Sequence, residues 1–323
     1  MGIELRARLP HCGQMSAPVT AATDAVRRFI FEKQPVRGHW VHLSGAWRSL
    51  REHAHYPQPV EQLLGEAVAA SVLLAASLKF RGTLTFQLQG DGAVRLLVAQ
   101  CTHELRVRAL ARFDAERIQE LPAGGGSRGV VFRRLVGSEG RITVTIETDE
   151  RGTPYQGVVP LEDASLAESL EAYFAASEQL PTRVLLAADE SGCAGLLVQR
   201  MPQSAGAPDS DDAWVDAQRG IGRLRPAELL SQPVEGILEQ GFTGHDLRLF
   251  RPSPVLFECR CGEGRVGALL RALGEDEVRE VLREQGSVTV TCEFCHRPYR
   301  FEPKDVEALF AHGESENGRG EVH

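Results

Sequence analysis

The chain has 323 residues and a formal net charge of −8 at neutral pH. That length suits roughly two domains of about 150 residues, with a core that needs no disulfide staples. Hydrophobic residues at 42% and charged residues at 25% exclude disorder as the state of the whole chain, and the acidic balance opposes non-specific binding to phosphates.

The first twenty residues read as irregular and lack the apolar run of a secretory leader. The longest apolar stretch, residues 67–78, is too short to span a bilayer. A cytoplasmic protein with no membrane partner is the expectation, in a compartment where thiols stay reduced. Residues 23–32 read as a short amphipathic segment, broken at Pro35, and residues 36–50 begin with strand-like alternation. Pro57 and Pro59 open a helix to about Leu78, with Val60, Leu63, Leu64 and Ala67 at helical spacing.

TLTFQLQ (83–89) alternates with period two, Gly90-Asp91-Gly92 is a turn, and 93–101 is the returning strand. Further strands are expected at 104–110, 128–137, 141–148 and 155–161. Ser165 with Glu168 reads as a capping box opening a helix to about Glu178. Strands at 183–188 and 194–201 close an α+β domain, residues 1–202, with a mostly antiparallel sheet.

The composition then changes. Residues 203–253 read as an acidic loop followed by short helices at 214–219, 226–230 and 234–240. Gly220, Gly222, Pro233 and Gly241 interrupt them, so this metastable linker is marginal unless it leans on a neighbour. Residues 254–312 form a small module: a strand in VLFECRC, a helix at 275–284, strands in SVTVTC and PYRFE, and a closing helix at 303–311. Residues 313–323 read as a disordered tail.

The module carries Cys259-Arg-Cys261 and, thirty residues on, Cys292-Glu-Phe-Cys295. Zinc takes four thiolates tetrahedrally, and two tight pairs at strand ends are how zinc ribbons supply them. An iron–sulfur or rubredoxin-like site uses the same ligands, though two Cys-x-x-Cys pairs are more usual there. His296 could substitute for a ligand, but four cysteines already satisfy one zinc ion. A structural zinc contributes about 10–16 kcal/mol of apparent binding energy, against about 5–15 kcal/mol for the stability of a whole domain. Loss of the metal is therefore expected to unfold the module. Oxidation of these thiolates to disulfides is one route to that loss, so the same four residues suit either a staple or a switch.

Other signals are weaker. Cys101 reads as a small core residue, Cys193 as a turn or strand-start residue, and Cys12 as a thiol in an irregular arm. Gly124, Gly126 and Gly129 fit GxGxxG, but VVFRRLV behind them reads as strand, where a dinucleotide site needs a helix. His53 and His55 are two apart, wrong for one helix face. Two other functions suit a module of this kind: a zinc ribbon that binds RNA or a ribosomal partner, and a thiol-disulfide oxidoreductase. Residues 255–323 hold nine Lys/Arg and fourteen Asp/Glu, a net −5, which disfavours phosphate tracking. Cys292-x-x-Cys295 follows a strand, whereas thioredoxin-like catalysis wants a helix N-terminus.

From about Val26 to Phe310 the chain resembles the heat-shock protein 33 family of redox-regulated chaperones. The likeness is carried by RFIFEKQPVRGHWVHL (28–43), LGEAVAASVLLAASLKFRGTLTFQLQGDG (64–92), GRITVTIETDERGTPYQGVVPLE (140–162), LEAYFAASEQLPT (170–182) and GLLVQRMP (195–202). It continues in FECRCGEGRV (257–266), LGEDEV (273–278) and VTCEFCHRPYRFEPKDVEALF (290–310). Gly262 stands where the family more usually has serine, and Ala93 where proline often follows the turn; neither is a ligand. The resemblance implies an ATP-independent holdase, not an enzyme. Cys259, Cys261, Cys292 and Cys295 would hold one Zn2+ when reduced. Oxidation would form the disulfides Cys259–Cys261 and Cys292–Cys295, release zinc and unfold module and linker. The chain would then bind unfolding proteins, usually as a homodimer.

Overall fold

The computed structural model describes residues 24–52, 54–121, 128–148, 154–161, 164–202 and 211–311. The expectations for 1–20, 203–210 and 313–323, and those for Cys12, His53, Gly124 and Gly126, lie outside these residues. The chain divides into two compact units, residues 1–258 and 259–323.

The first unit is α+β. In chain order it runs β1 (Ala25–Phe31), β2 (Val36–Leu43), α1 (Gly45–Arg51), α2 (Gln58–Ser77), β3 (Gly82–Gln89), β4 (Val94–Thr102) and β5 (Arg106–Phe113). Then come α3 (Ala115–Gln119), α4 (Arg128–Val136), β6 (Arg141–Thr148), β7 (Tyr155–Pro160), α5 (Leu166–Tyr173) with a π turn at Phe174–Glu178, β8 (Thr182–Ala188) and β9 (Cys193–Arg200). Three helices follow, α6 (Asp211–Arg223), α7 (Pro226–Ser231) and α8 (Val234–Gly241). The short strands β10 (Leu247–Leu249), β11 (Ser253–Pro254) and β12 (Leu256–Phe257) complete the unit.

Two sheets result. One has the order β10-β1-β2-β9-β8, with β11 also on β1; the other has the order β12-β5-β4-β3-β6-β7. All pairings are antiparallel except β12 on β5. Helix α2 packs against strands of both sheets. It is long and apolar enough to cross a membrane, yet thirteen of its twenty residues are buried, so it serves as the core helix. Val41 and Leu43 of β2, Leu84 and Phe86 of β3, and Leu97 of β4 pack with it.

The opposite face of the first sheet carries a second core. Alternation sends Phe29, Phe31, Val36, Trp40, Leu196 and Val198 to that side. Helices α6–α8 cover it with Trp214, Ala217, Ile221, Leu229, Ile237 and Leu238. None of these helices exceeds 13 residues, too short to persist in water alone, so the sheet is the neighbour on which this segment leans.

One local reading is made specific and two are corrected. Residues 25–31 form a strand, because β1 pairs with β2 along its length and buries alternate side chains. Residues 128–136 form a helix, not a strand. Val130 and Val131 carry strand propensity, but Phe132, Leu135 and Val136 bury one helical face. Gly137, at φ +84°, ends that helix in the left-handed conformation. Gly220 and Gly222 do not interrupt α6. A side chain at Gly220 would run into the Gly241 carbonyl, so this glycine is where α6 and α8 touch backbone to backbone. The Ser165 cap is present, with its hydroxyl accepting from Glu168 N at 3.2 Å. The return bond goes one residue early, from Ala164 N to Glu168 Oε2.

The second unit contains α9 (Glu263–Leu273), α10 (Glu275–Gln285), β13 (Val288–Thr291), β14 (Pro298–Phe301) and α11 (Pro303–Ala311). Helix α9 had no counterpart in the sequence expectations. Strands β13 and β14 form a hairpin. The buried core is Val266, Leu270, Val278, Val288, Tyr299, Phe301 and Val306, a small set that includes partly buried Cys261 and Cys292 at its margin.

Candidate metal centre

The four cysteines come from two irregular stretches that the second unit folds together. Cys259 and Cys261 precede α9, whose first turn is tied back by Arg265 donating to the Arg260 carbonyl at 2.8 Å. Cys292 and Cys295 sit in the tight turn between β13 and β14. Cys292 N donates to the Arg297 carbonyl at 3.0 Å and His296 N to the Cys292 carbonyl at 2.7 Å. The turn forces His296 to φ +53°, a left-handed conformation unusual for a residue with a side chain.

All four Sγ atoms lie within 4.8 Å of one another, and each cysteine is partly buried. Cys259 and Cys292 sulfurs are 3.6 Å apart, and those of Cys261 and Cys295 3.3 Å apart. Tetrahedral zinc with bonds of about 2.3 Å sets its sulfurs about 3.8 Å apart. The donor set and its spacing therefore fit a thiolate-binding metal ion. The group of donors within this distance among the described residues does not include His296.

A donor that sequence reasoning missed stands beside them. Tyr299 Oη donates to Cys261 Sγ at 3.0 Å. The phenol ring is buried in the small core, and the Arg297 guanidinium lies 5.7 Å from its centroid. The register pairs Tyr299 with Val290, two residues before Cys292, which is the signal that sets it next to the ligands.

The protons of the cluster are unevenly held. Burial raises the Cys261 thiol, but hydrogen bonds from Tyr299 and then from the other cysteines outweigh it and hold Cys261 at about 7. Burial raises Cys259 and Cys295. Its hydrogen bond to Cys261 lifts the Tyr299 phenol to about 12.

Among the described residues, the two other cysteines lie outside the cluster. Cys101 on β4 is buried, and burial pushes its thiol up to about 12. Cys193 begins β9, is fully buried and is raised in the same way. Both are core residues of the first unit. His55 is exposed. Gly129 lies in α4, so a helix does follow the glycine-rich stretch. What precedes that stretch is α3, not the strand a dinucleotide site requires. Cys292-x-x-Cys295 lies in the turn between two strands and does not itself open a helix, the position a thioredoxin-like pair takes.

A family model described as Hsp33 protein matches residues 24–302. A 33 kDa chaperonin of Methylobacillus flagellatus is 40% identical over 89% of this chain and 94% of its own length. One of Nitrosococcus oceani is 41% identical over 89% and 94%. The crystal structure of the 33 kDa chaperonin of Thermotoga maritima shares the fold, with a TM-score of 0.76 at 22% identity, covering 91% of this chain and 100% of that one. The family model spans both units and reaches past the last of the four cysteines, and on that match and those identities the chain belongs to the Hsp33 family.

Proposed function

We propose that this protein is a redox-regulated, ATP-independent holdase, a chaperone and not an enzyme, that acts in the cytoplasm. The observation that carries this reading is the gathering of four sulfurs within 4.8 Å in a unit whose described residues bury a core of seven hydrophobic side chains. So small a core is of the size that needs a staple. Cys259, Cys261, Cys292 and Cys295 would hold one zinc ion, which when bound ties the segment before α9 to the β13–β14 turn.

The chain's own thiols then supply the switch. A cysteine thiolate attacks the terminal oxygen of a hydroperoxide, the O–O bond breaks, and a sulfenic acid forms while water or an alcohol leaves. A neighbouring thiolate attacks that sulfur, the S–S bond forms and hydroxide departs. The pairs we assign are Cys259–Cys261 and Cys292–Cys295, by the family resemblance. The sulfur spacings do not favour them, since all four lie within reach of one another.

Once the second unit unfolds, strain passes along the chain into residues 247–258. These are held to the first unit by strands of three, two and two residues. Helices α6–α8 are the next elements back. Their release would bare Phe29, Phe31, Trp40, Leu196 and Val198, an apolar sheet face suited to the exposed apolar segments of unfolding clients. In this scheme residues 1–202 are the capture body, 203–253 the releasable cover and 254–312 the sensor, and the activated form is a homodimer.

The test treats the purified zinc-loaded protein with peroxide at mild heat. Zinc release is followed with a chromophoric chelator, and suppression of aggregation of an unrelated unfolding protein is measured. Release and suppression should rise together. Equal suppression by the reduced zinc form would remove the switch from the proposal.

A further inference from the structure

The hydroxyl of Tyr299 has no role in the scheme above, yet it donates to one of the four sulfurs at 3.0 Å from a ring fixed in the core. A hydrogen bond to a sulfur draws electron density from it and restrains its direction. Attack on a peroxide needs the opposite, a free electron pair and freedom to leave its ligand position. The placement is specific, because Tyr299 is linked to Cys261 while the other three sulfurs have no such link to a tyrosine among the described residues.

We propose that Tyr299 is a positioning residue that slows oxidation of Cys261 and so sets the oxidant threshold at which the metal centre comes apart. This rests on the redox reading of the four cysteines and names a control on it. In the chemical step the Cys261 thiolate gives its electron pair to the terminal oxygen of a hydroperoxide. The O–O bond breaks, the leaving oxygen is protonated to water or alcohol, and Cys261 becomes a sulfenic acid. A second cysteine thiolate then closes the disulfide with loss of hydroxide. The Tyr299 hydroxyl keeps its proton throughout. Its hydrogen bond is lost as the Cys261 electron pair moves to oxygen, which raises the barrier of the first step alone.

The experiment compares zinc-loaded wild type, Tyr299→Phe and Phe301→Leu under hydrogen peroxide. Zinc release is followed in time, and each cysteine is scored by mass spectrometry after isotope-coded alkylation. Tyr299→Phe keeps the ring in the core and removes only the hydroxyl. It should speed sulfenic-acid formation at Cys261 about fivefold, the rate equivalent of one hydrogen bond of about 1 kcal/mol, ahead of the other three cysteines. Phe301→Leu loosens the same core without touching the hydrogen bond, and should hasten all four sites alike. In the cobalt-substituted reduced protein, Tyr299→Phe should move the sulfur-to-cobalt charge-transfer band to longer wavelength, which core loosening alone does not do. An unchanged Cys261 rate in Tyr299→Phe, or acceleration equal at all four cysteines, overturns the assignment. Failure of the wild type to release zinc at all would instead overturn the redox reading beneath it.

Discussion

Single side chains in this protein differ in what burial does to them. His39 on β2 is 4% exposed, and its Nδ1 has no hydrogen-bond partner. Burial, then the charges of Arg37 and Arg28, lower it to about 4 from the ordinary 6.5. The folded protein therefore prefers neutral His39. Its contribution to stability is complete above pH 6.5 and is lost as pH falls towards 4, at up to about 1.4 kcal/mol per pH unit and ~3 kcal/mol in all. Denaturant midpoints for wild type should fall between pH 7 and pH 4.5, and His39→Gln should flatten that fall; an equal slope in the variant would assign it to other groups. The two buried cysteines show the same force acting on thiols. Cys101 and Cys193 are raised by burial, so in the native reduced protein they should resist iodoacetamide, while the four clustered cysteines react once a chelator has removed the metal. Labelling of Cys101 or Cys193 at the cluster's rate would contradict their place in the core.

At the scale of elements, the packing of α6 on α8 decides how firmly the second core is closed. Gly220→Ala puts a methyl group where the Gly241 carbonyl already lies. Overpacking of this kind costs about 1–3 kcal/mol. The reduced, zinc-loaded variant should bind a hydrophobic dye more strongly than wild type and suppress aggregation without oxidant; wild-type dye binding would mean the contact can yield. This position also marks where sequence reading stops. A glycine inside a helical pattern signals a break as readily as a close crossing, and only the partner backbone tells them apart. Residues 128–136 failed for a related reason, since β-branched Val130 and Val131 speak locally for a strand while Phe132, Leu135 and Val136 are claimed by the core. The strands β3, β4 and β6 were legible because alternation and the Gly90-Asp91-Gly92 turn agree with their burial. The four cysteines were legible because ligand spacing is a local property. Tyr299 was not, because its contact to Cys261 crosses 38 residues and depends on hairpin register.

The whole molecule sets a large core beside a small one. The first unit encloses two extensive apolar clusters, whereas the described residues of the second hold one of seven buried hydrophobic side chains. Metal removal should therefore unfold the second unit and leave the two sheets at the centre of the first in place. With a strong chelator and a reductant present, hydrogen exchange across α9, α10 and α11 should lose its protection, while β2, β3, β4 and β9 keep theirs. Retained protection in the three helices would show that the small core stands without its metal.

Strand β12 lies parallel on β5, pairing Leu256 with Arg106 and Phe257 with Val107 across 150 residues of chain. That pairing has a consequence in time. The sheet face of β1, β2, β8 and β9 can assemble once residue 200 has been made, but α6–α8 and the closing strands are still to come. At synthesis rates of about 5–20 residues per second, the 57 residues from Arg200 to Phe257 take roughly 3–11 seconds. During every round of its own production the nascent chain shows its apolar face before the cover exists, so each molecule passes briefly through an uncovered form while it is being born.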